Sequence, residues 1–188
     1  NAKLNIEGSL LAGNNGIVNV DLGNGGILTG RVDDYGDAGV IDNTGHGSSF
    51  FNPAFSSEIK SGGQVNLTMG DDSRWNVTGQ SWITRINTEN SSNAVIDLVS
   101  DYNNRNAAAH ALTIYELTGN ARFEMSLDAN RDASDMLYIK NANGNYTVNV
   151  LDAVSHDDMY ANDFDGLRFA TVGIGSQASF RAITEDIG

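Results

Sequence analysis

The sequence has no cysteine, a single proline and no uninterrupted apolar run of membrane-spanning length. The absence of cysteine excludes a disulfide framework, a thiolate metal site and a cysteine nucleophile. The absence of about 18 consecutive apolar residues excludes a transmembrane helix within these residues. The sequence opens inside a strand-like pattern, NAKLNIEGSL, without a signal peptide. We therefore expect a segment or processed product of a longer protein.

Positive charge is also scarce. Eleven lysines and arginines stand against 24 acidic residues, which gives a formal net charge of −13. This balance disfavours nucleic acid and anionic membrane surfaces as partners. The acidic residues are spread along the chain, a distribution typical of a solvated surface rather than of a specific cation site.

Helical periodicity is missing as well. No window combines an apolar stripe at helical spacing with capping residues, and the best candidate, RNAAAH at 105–110, is short enough to be a loop or one turn. Glycine and asparagine are abundant instead, with 21 and 23 residues respectively. Both tolerate left-handed backbone conformations, so they predict many corners between short strands and an all-β fold.

Period-two alternation of apolar and polar residues marks the clearest strands. The apolar sets are Val65, Leu67 and Met69; Ala94, Ile96 and Leu98; Phe123, Met125 and Leu127; and Tyr146, Val148 and Val150. Either a β-sandwich or a β-solenoid satisfies this pattern. The Gly/Asn corners and the quasi-repetitive segment GNNGIVNVDLGNGGILTG favour the solenoid.

A division of the chain is predicted near Gly70. Residues 1–70 carry short, glycine-rich strands and are interpreted as the stem rungs of a β-helix. Residues 71–188 contain both tryptophans and most of the tyrosines, so we expect this part to be the better packed C-terminal region.

Three motifs follow one another in the second part of the chain. The first, W-x-V-T-G-x-S, is formed by Trp75, Val77, Thr78, Gly79 and Ser81. The second comprises LTGN at 117–120, the alternating strand at 123–127, and D-x-L-x-I at Asp135, Leu137 and Ile139. The third is GNYTVNV at 144–150. In this order and spacing, residues 55–188 resemble the C-terminal passenger region of type V autotransporters of the pertactin-like and diffuse-adherence-adhesin-like kind.

The resemblance implies a right-handed, single-stranded parallel β-helix that ends in a C-terminal capping region, the autochaperone. This region would support folding and outer-membrane translocation of a cell-surface adhesin or virulence protein, without enzymatic activity or a cofactor. The implied location is the bacterial cell surface, the outer membrane or the medium, after periplasmic transit. The implied partners are the N-terminal passenger rungs and a C-terminal β-barrel, with a host protein or glycan as target of the full passenger.

The chain departs from the family pattern at its end. The family usually continues past the strand containing Phe180 into a final aromatic strand, which is not present here. The residues assigned to the folding and cap core are Trp75, Val77, Gly79, Trp82, Leu117, Gly119, Phe123, Met125, Leu127, Leu137 and Ile139. No catalytic, cofactor-binding or metal-binding residue is predicted.

Several groups of polar residues are candidate ligand sites. Asp128, Asn130 and Asp132 begin like an EF-hand loop, but Ala133 and Ile139 stand where that loop needs Gly and Glu, which favours an exposed turn. Solvated loops are also predicted for a cluster of acidic residues: Asp157, Asp158, Asp163 and Asp165. The histidines lack metal-site spacing and are interpreted as surface residues: His46, His110 and His156.

Two other functions remain open at the level of the sequence. A carbohydrate-active β-helix would need acidic or basic side chains that converge on one face of adjacent rungs, and the three lysines are far apart. A glycan-binding β-sandwich would present Trp75 or Trp82 as an exposed stacking surface, whereas core or cap packing is the favoured interpretation of both rings.

Overall fold

The computed structural model describes residues 3–13, 15–34, 63–99, 109–127, 134–152 and 169–184. These residues form fourteen β-strands and no helix. The strands are β1 (Asn5–Glu7), β2 (Leu10–Leu11), β3 (Ile17–Asp21), β4 (Ile27–Gly30), β5 (Val32–Asp33), β6 (Gln64–Thr68), β7 (Arg74–Val77), β8 (Ser81–Thr88), β9 (Ala94–Asp97), β10 (Ala111–Gly119), β11 (Ala121–Ser126), β12 (Met136–Asp152), β13 (Ala170–Val172) and β14 (Gln177–Thr184).

Every pairing between these strands is parallel, and twelve of the strands belong to one sheet. One ladder runs through β1, β4, β7, β9, β11 and the second half of β12, and continues into β14. The other runs through β3, β6, β8, β10 and the first half of β12. Each turn of the chain thus lies on the next, and the fold is a parallel β-helix rather than an antiparallel sandwich.

A column of apolar side chains forms the core beside the first ladder. The column consists of residues in register from one rung to the next: Ile6, Leu28, Trp75, Ile96, Phe123 and Val148. From Leu28 to Val148 every member is fully buried. A second column stands in the other ladder, at Val20, Leu67, Ile86, Leu117 and Ala142. Each rung therefore covers the apolar face of its neighbour.

The alternation predicted for β6 is confirmed, and the predicted core residues of β9, β11 and β12 are buried. Burial does not alternate in the latter strands, because outward-facing residues are buried as well: Val95, Asp97, Glu124 and Asn149. Burial in β6 alternates at every residue, with Val65 and Leu67 on the core side. Strands on both sides of Gly70 pair with one another and contribute to one continuous hydrophobic core. The division of the chain at residue 70 stays a prediction.

Glycines allow the rungs to stack closely at the corner where β10 meets β12. Gly119 and Gly144 pair in register and both have positive φ, +100° and +132° respectively. A Cβ atom on Gly144 would lie 1.9 Å from the carbonyl oxygen of Gly119. This corner therefore requires glycine both for its backbone conformation and for its packing.

Substitution of Gly144 by alanine is expected to lower the free energy of unfolding by at least about 1–3 kcal/mol, since it adds backbone strain to a steric clash. Urea unfolding followed by circular dichroism measures the loss. Gly79→Ala is the control, because a Cβ there would come no closer than 4.0 Å to Arg31 and its φ is not in the positive range. Equal losses in the two variants would contradict this account of the corner.

Candidate functional site

Most of the residues assigned to the folding core lie in the interior. Those that are buried are Trp75, Val77, Leu117, Phe123, Met125, Leu127, Leu137 and Ile139. Gly79, Trp82 and Gly119 are half-buried instead. Gly119 serves the corner described above through its positive φ and through close packing, since a Cβ atom on it would lie 2.4 Å from the backbone nitrogen of Glu89. The role of this set in folding stays a prediction.

The two tryptophans occupy different environments. The ring of Trp75 is completely buried, and its Nε1 donates a hydrogen bond of 3.0 Å to the carbonyl oxygen of Gly30 on the preceding rung. Trp82, on β8, is half-buried. Because the Trp75 ring has no exposed face, a sugar-stacking surface that uses this ring is excluded.

An aromatic cluster links the last three rungs of the first ladder. The ring centroids of Phe123 and Tyr146 are 6.1 Å apart, and those of Tyr146 and Phe180 are 5.1 Å apart in a stacked arrangement. The Tyr146 hydroxyl donates to the carbonyl oxygen of Asn143 at 2.8 Å, and burial raises the pKa of this tyrosine. The cluster therefore joins the C-terminal rungs through packing and a satisfied polar group.

A ladder of charged side chains lies on the outward face of three successive rungs of the first ladder, at strands β7, β9 and β11. Arg74 on β7 donates to Asp97 on β9 and also to Glu124 on β11, so one guanidinium spans three successive rungs. Arg122 donates to Glu124 at 2.9 Å. The side chains of both Asp97 and Glu124 are only 8% exposed, whereas those of Arg74 and Arg122 are 31% and 48% exposed, so buried carboxylates meet partly solvated arginines. We call Arg74, Asp97, Arg122 and Glu124 the charged ladder.

The charged ladder brings two carboxylates together on adjacent rungs. Burial raises the pKa of Asp97, and the hydrogen bond and charge of Arg74 oppose that rise. Each carboxylate is occupied by an arginine, so the arrangement is an ion-pair network between rungs rather than a free acid pair. Sequence reasoning missed this network because the three rungs are separated by connections of unequal length. Its members therefore follow no regular interval along the chain.

A second polar contact was also missed by sequence reasoning. The carboxylate of Asp135, buried at 2% exposure, accepts hydrogen bonds from the backbone N–H groups of His110 at 2.7 Å and Ser126 at 2.8 Å. It therefore ties the residue before β10 to the last residue of β11. Asp135 belongs to the D-x-L-x-I motif, so the sequence singled out this residue. The motif does not indicate which backbone groups the carboxylate contacts.

The interpretation of His110 as a surface residue is wrong. His110 is buried, and its Nδ1 lies 2.9 Å from the carbonyl oxygen of Leu98. Its burial follows from the contacts of its backbone with Asp135, which draw the residue against the end of β9. His46 and His156 lie outside the described residues.

Two buried carboxylates are expected to make the stability of the fold depend on pH. Burial raises the pKa values of both Asp97 and Asp135 above those of an exposed aspartate. The folded state therefore binds protons more readily than the unfolded state, and the free energy of unfolding should rise as the pH falls from neutrality through the raised pKa values.

Urea midpoints measured from pH 7.5 downward test this expectation. Replacing Asp97 or Asp135 by asparagine should flatten the rise. Asp71→Asn is the control of opposite sign, since hydrogen bonds from Ser92 lower the Asp71 pKa and its contribution is lost as the pH falls. A pH profile unchanged in Asp97→Asn and Asp135→Asn would contradict the assignment.

The acidic loops predicted from the sequence, at 128–132 and 157–165, lie outside the described residues. Within the part of the chain that the structure describes, no three His, Asp or Glu residues are close enough to hold a metal ion. The same residues include no helix that is long and apolar enough to span a membrane.

The stacked parallel rungs, the buried columns and the polar contacts between rungs define a β-helix of the kind that forms autotransporter passengers. Residues 86–186 match the family model described as Pertactin, which covers more than half of the chain. The chain belongs to the pertactin family, as a passenger region that is exposed at the cell surface or secreted. The match includes the second and third motifs of the sequence but begins after Trp75. A search of curated proteins returned no match.

Proposed function

We propose that this chain is the non-enzymatic C-terminal part of a passenger, and that its last rungs promote folding and outer-membrane translocation of a cell-surface adhesin. The observation that carries the proposal is a gradient of strand length along the solenoid. Strands β1 to β5 contain two to five residues, whereas β10 and β12 contain nine and 17. In the full protein, the adjoining N-terminal rungs and a C-terminal barrel are the partners of this segment, and a host protein or glycan is the target of the passenger.

The gradient matters because solenoid rungs stabilise one another only through their neighbours. Folding starts where a few rungs form a stable unit and then propagates by templating the next rung. The C-terminal unit combines the cluster of Phe123, Tyr146 and Phe180 with the long ladder between β10 and β12. The outermost strands lack a buried residue at both ends, in β1 and β3 at one end and in β13 and residues 177–183 of β14 at the other. The difference between the two ends therefore lies in the length of the strands and in the aromatic cluster. Nucleation is therefore favoured at the C-terminal end.

Surface display of a passenger that contains this segment tests the proposed role. Leu137→Asp is expected to lower protease-resistant display by about tenfold or more, because an uncompensated carboxylate at a fully buried position costs several kcal/mol. Asn141→Asp is the matched control, since it adds the same charge on the same strand at an exposed position. Equal display of the two variants would refute a role of this core in translocation.

The order of folding supplies an independent readout. In pulse-labelling hydrogen exchange during refolding, amides of β10, β11 and β12 are expected to become protected before those of β1, β3 and β4. Earlier protection of the N-terminal strands would refute nucleation at the C-terminal end, even if the folded structure is unchanged.

A further inference from the structure

Asp135 lies at the entrance to β12, the longest of the described strands. Its carboxylate accepts hydrogen bonds from the backbone N–H groups of His110 and Ser126, and two backbone bonds run back between the same positions. The Asp135 N–H donates to the carbonyl oxygen of Ser126 at 2.9 Å, and the Met136 N–H donates to that of His110 at 3.0 Å. Paired hydrogen bonds therefore join the entrance of β12 to two positions, the residue before β10 and the last residue of β11.

These hydrogen bonds close two successive connections of the solenoid. Ser126 and Asp135 lie at the two ends of the connection from β11 to β12, and Leu98 and His110 lie at the ends of the connection from β9 to β10. The Nδ1 of His110 is 2.9 Å from the carbonyl oxygen of Leu98. Asp135 is only 2% exposed, so the two N–H groups replace solvent as donors to its carboxylate. One buried carboxylate thus holds two corners of the solenoid against each other.

The apolar pattern of β12 does not by itself fix where the strand starts on β10. Leu137 lies opposite Leu112, and Ile139 lies opposite Ile114. A shift of the first half of β12 by two residues would leave every side chain on the same face and would place Ile139 opposite Leu112. Both arrangements bury an apolar residue at that position, so the choice between them depends on a specific contact at the entrance.

The far end of the same strand pair is held in a different way. Gly119 pairs with Gly144 at the corner where the rungs approach most closely, and a Cβ atom on Gly144 would clash with the Gly119 carbonyl oxygen. That constraint acts beyond the first half of β12. The entrance has no glycine of this kind, and its hydrogen bonds to Asp135 take the corresponding place.

We propose that Asp135 is a positioning residue, which sets the register of β12 on β10 where the last rungs begin. The D-x-L-x-I motif then divides into two roles, because Asp135 fixes the register while Leu137 and Ile139 fill the core. This role belongs to the folded chain itself. It is tested on purified protein and does not depend on the proposed part of the segment in translocation.

Cross-linking between β10 and β12 measures the register directly, because the chain has no cysteine of its own. Ala111→Cys with Met136→Cys gives an entrance pair, and Glu116→Cys with Asn141→Cys gives a distal pair. Neighbouring strands lie about 4.8 Å apart, within the Cα separation of about 4.4–6.8 Å that a disulfide spans. A shift of two residues adds about 6.6 Å along the strand and takes the entrance pair out of reach.

Asp135→Ala is expected to slow disulfide formation in the entrance pair about tenfold, because two buried N–H groups lose their acceptor. The distal pair is expected to keep its rate to within about twofold, since it is separated from the altered contact. Free-thiol titration and mass spectrometry during oxidation by glutathione disulfide give both rates. Circular dichroism shows that each variant is folded.

Two further variants identify the group responsible. Asp135→Asn should give an intermediate rate in the entrance pair, because the amide oxygen replaces one of the two acceptor oxygens. Asp71→Ala is the control, since it removes a carboxylate that accepts a hydrogen bond from the Ser92 N–H at another corner. It should leave the rates of both pairs unchanged.

Two outcomes would overturn the proposal. An entrance pair that oxidises at the parental rate in Asp135→Ala shows that the register does not depend on Asp135. Equal slowing of the entrance and distal pairs shows that Asp135 contributes only to overall stability. If Asp135→Ala does not fold, the same comparison is made in Asp135→Asn, where slowing confined to the entrance pair supports the assignment and either other result refutes it.

Discussion

Trp75→Ala is expected to lower the free energy of unfolding by about 3–5 kcal/mol, the range found when a large buried aromatic side chain is truncated. Trp75 is fully buried between Leu28 and Ile96 in the core column, so its removal leaves a cavity that both neighbours line. The carbonyl oxygen of Gly30 also loses the hydrogen bond from the indole. Urea unfolding followed by far-ultraviolet circular dichroism measures the loss.

Trp82→Ala is the matched control, because it makes the same chemical change at a half-buried position. Its effect is expected to be smaller, since less apolar surface is removed from the interior. Losses of the same size in both variants would show that the burial of Trp75 does not determine its contribution. A large loss at Trp82 with a small loss at Trp75 would contradict the core column itself.

Arg74→Met is expected to destabilise the fold by about 3–5 kcal/mol, because it removes a cation from two buried carboxylates. Asp97 loses the partner that opposes its desolvation, and Glu124 loses its contact with Arg74 while the contact with Arg122 remains. The apolar stem of methionine retains much of the packing, so the loss reports mainly on charge. Denaturant midpoints at constant pH and ionic strength provide the measurement.

Two further variants test whether the loss arises from the burial of the carboxylates or from the loss of any ion pair. Adding Asp97→Leu and Glu124→Met to Arg74→Met should recover much of the lost stability, since apolar replacement of the buried members of an ion-pair network is often neutral. Arg122, the member that remains, is 48% exposed. Arg85→Met, which breaks the exposed pair with Glu116, should cost less than about 1 kcal/mol. A triple variant with a lower free energy of unfolding than Arg74→Met alone would refute this role of the charged ladder.

The interior faces of the strands were predictable because their signal is local. Phe123, Met125 and Leu127 alternate with polar residues, and all three are buried. Val65, Leu67 and Met69 behave in the same way. Successive side chains of a strand point to opposite faces of the sheet, so the two-residue period is visible in the sequence without knowledge of any partner strand. The same reasoning placed Leu137 and Ile139 in the core.

The charged ladder and the contacts of Asp135 were not predictable in this way. Arg74, Asp97 and Glu124 belong to three strands, and the lengths of the connections between those strands differ. Outward-facing charges on a β-helix are ordinarily solvated, so their burial has no signature in composition. The burial of His110 was not predictable for the same reason. A loop-like context along the chain does not indicate which carboxylate contacts the residue in the folded structure.

The sequence by itself determined the all-β character of the chain, the core face of its main strands and the need for corners rich in glycine and asparagine. These properties follow from backbone conformation and from alternation within single strands. Only the tertiary structure decided which rung lies on which, and with it the stacking of Trp75 on Leu28 and the reach of Arg74 across three rungs. The physical reason is that contacts in a solenoid depend on the register between rungs. Because the connections between rungs vary in length, that register cannot be read from the spacing of residues along the chain.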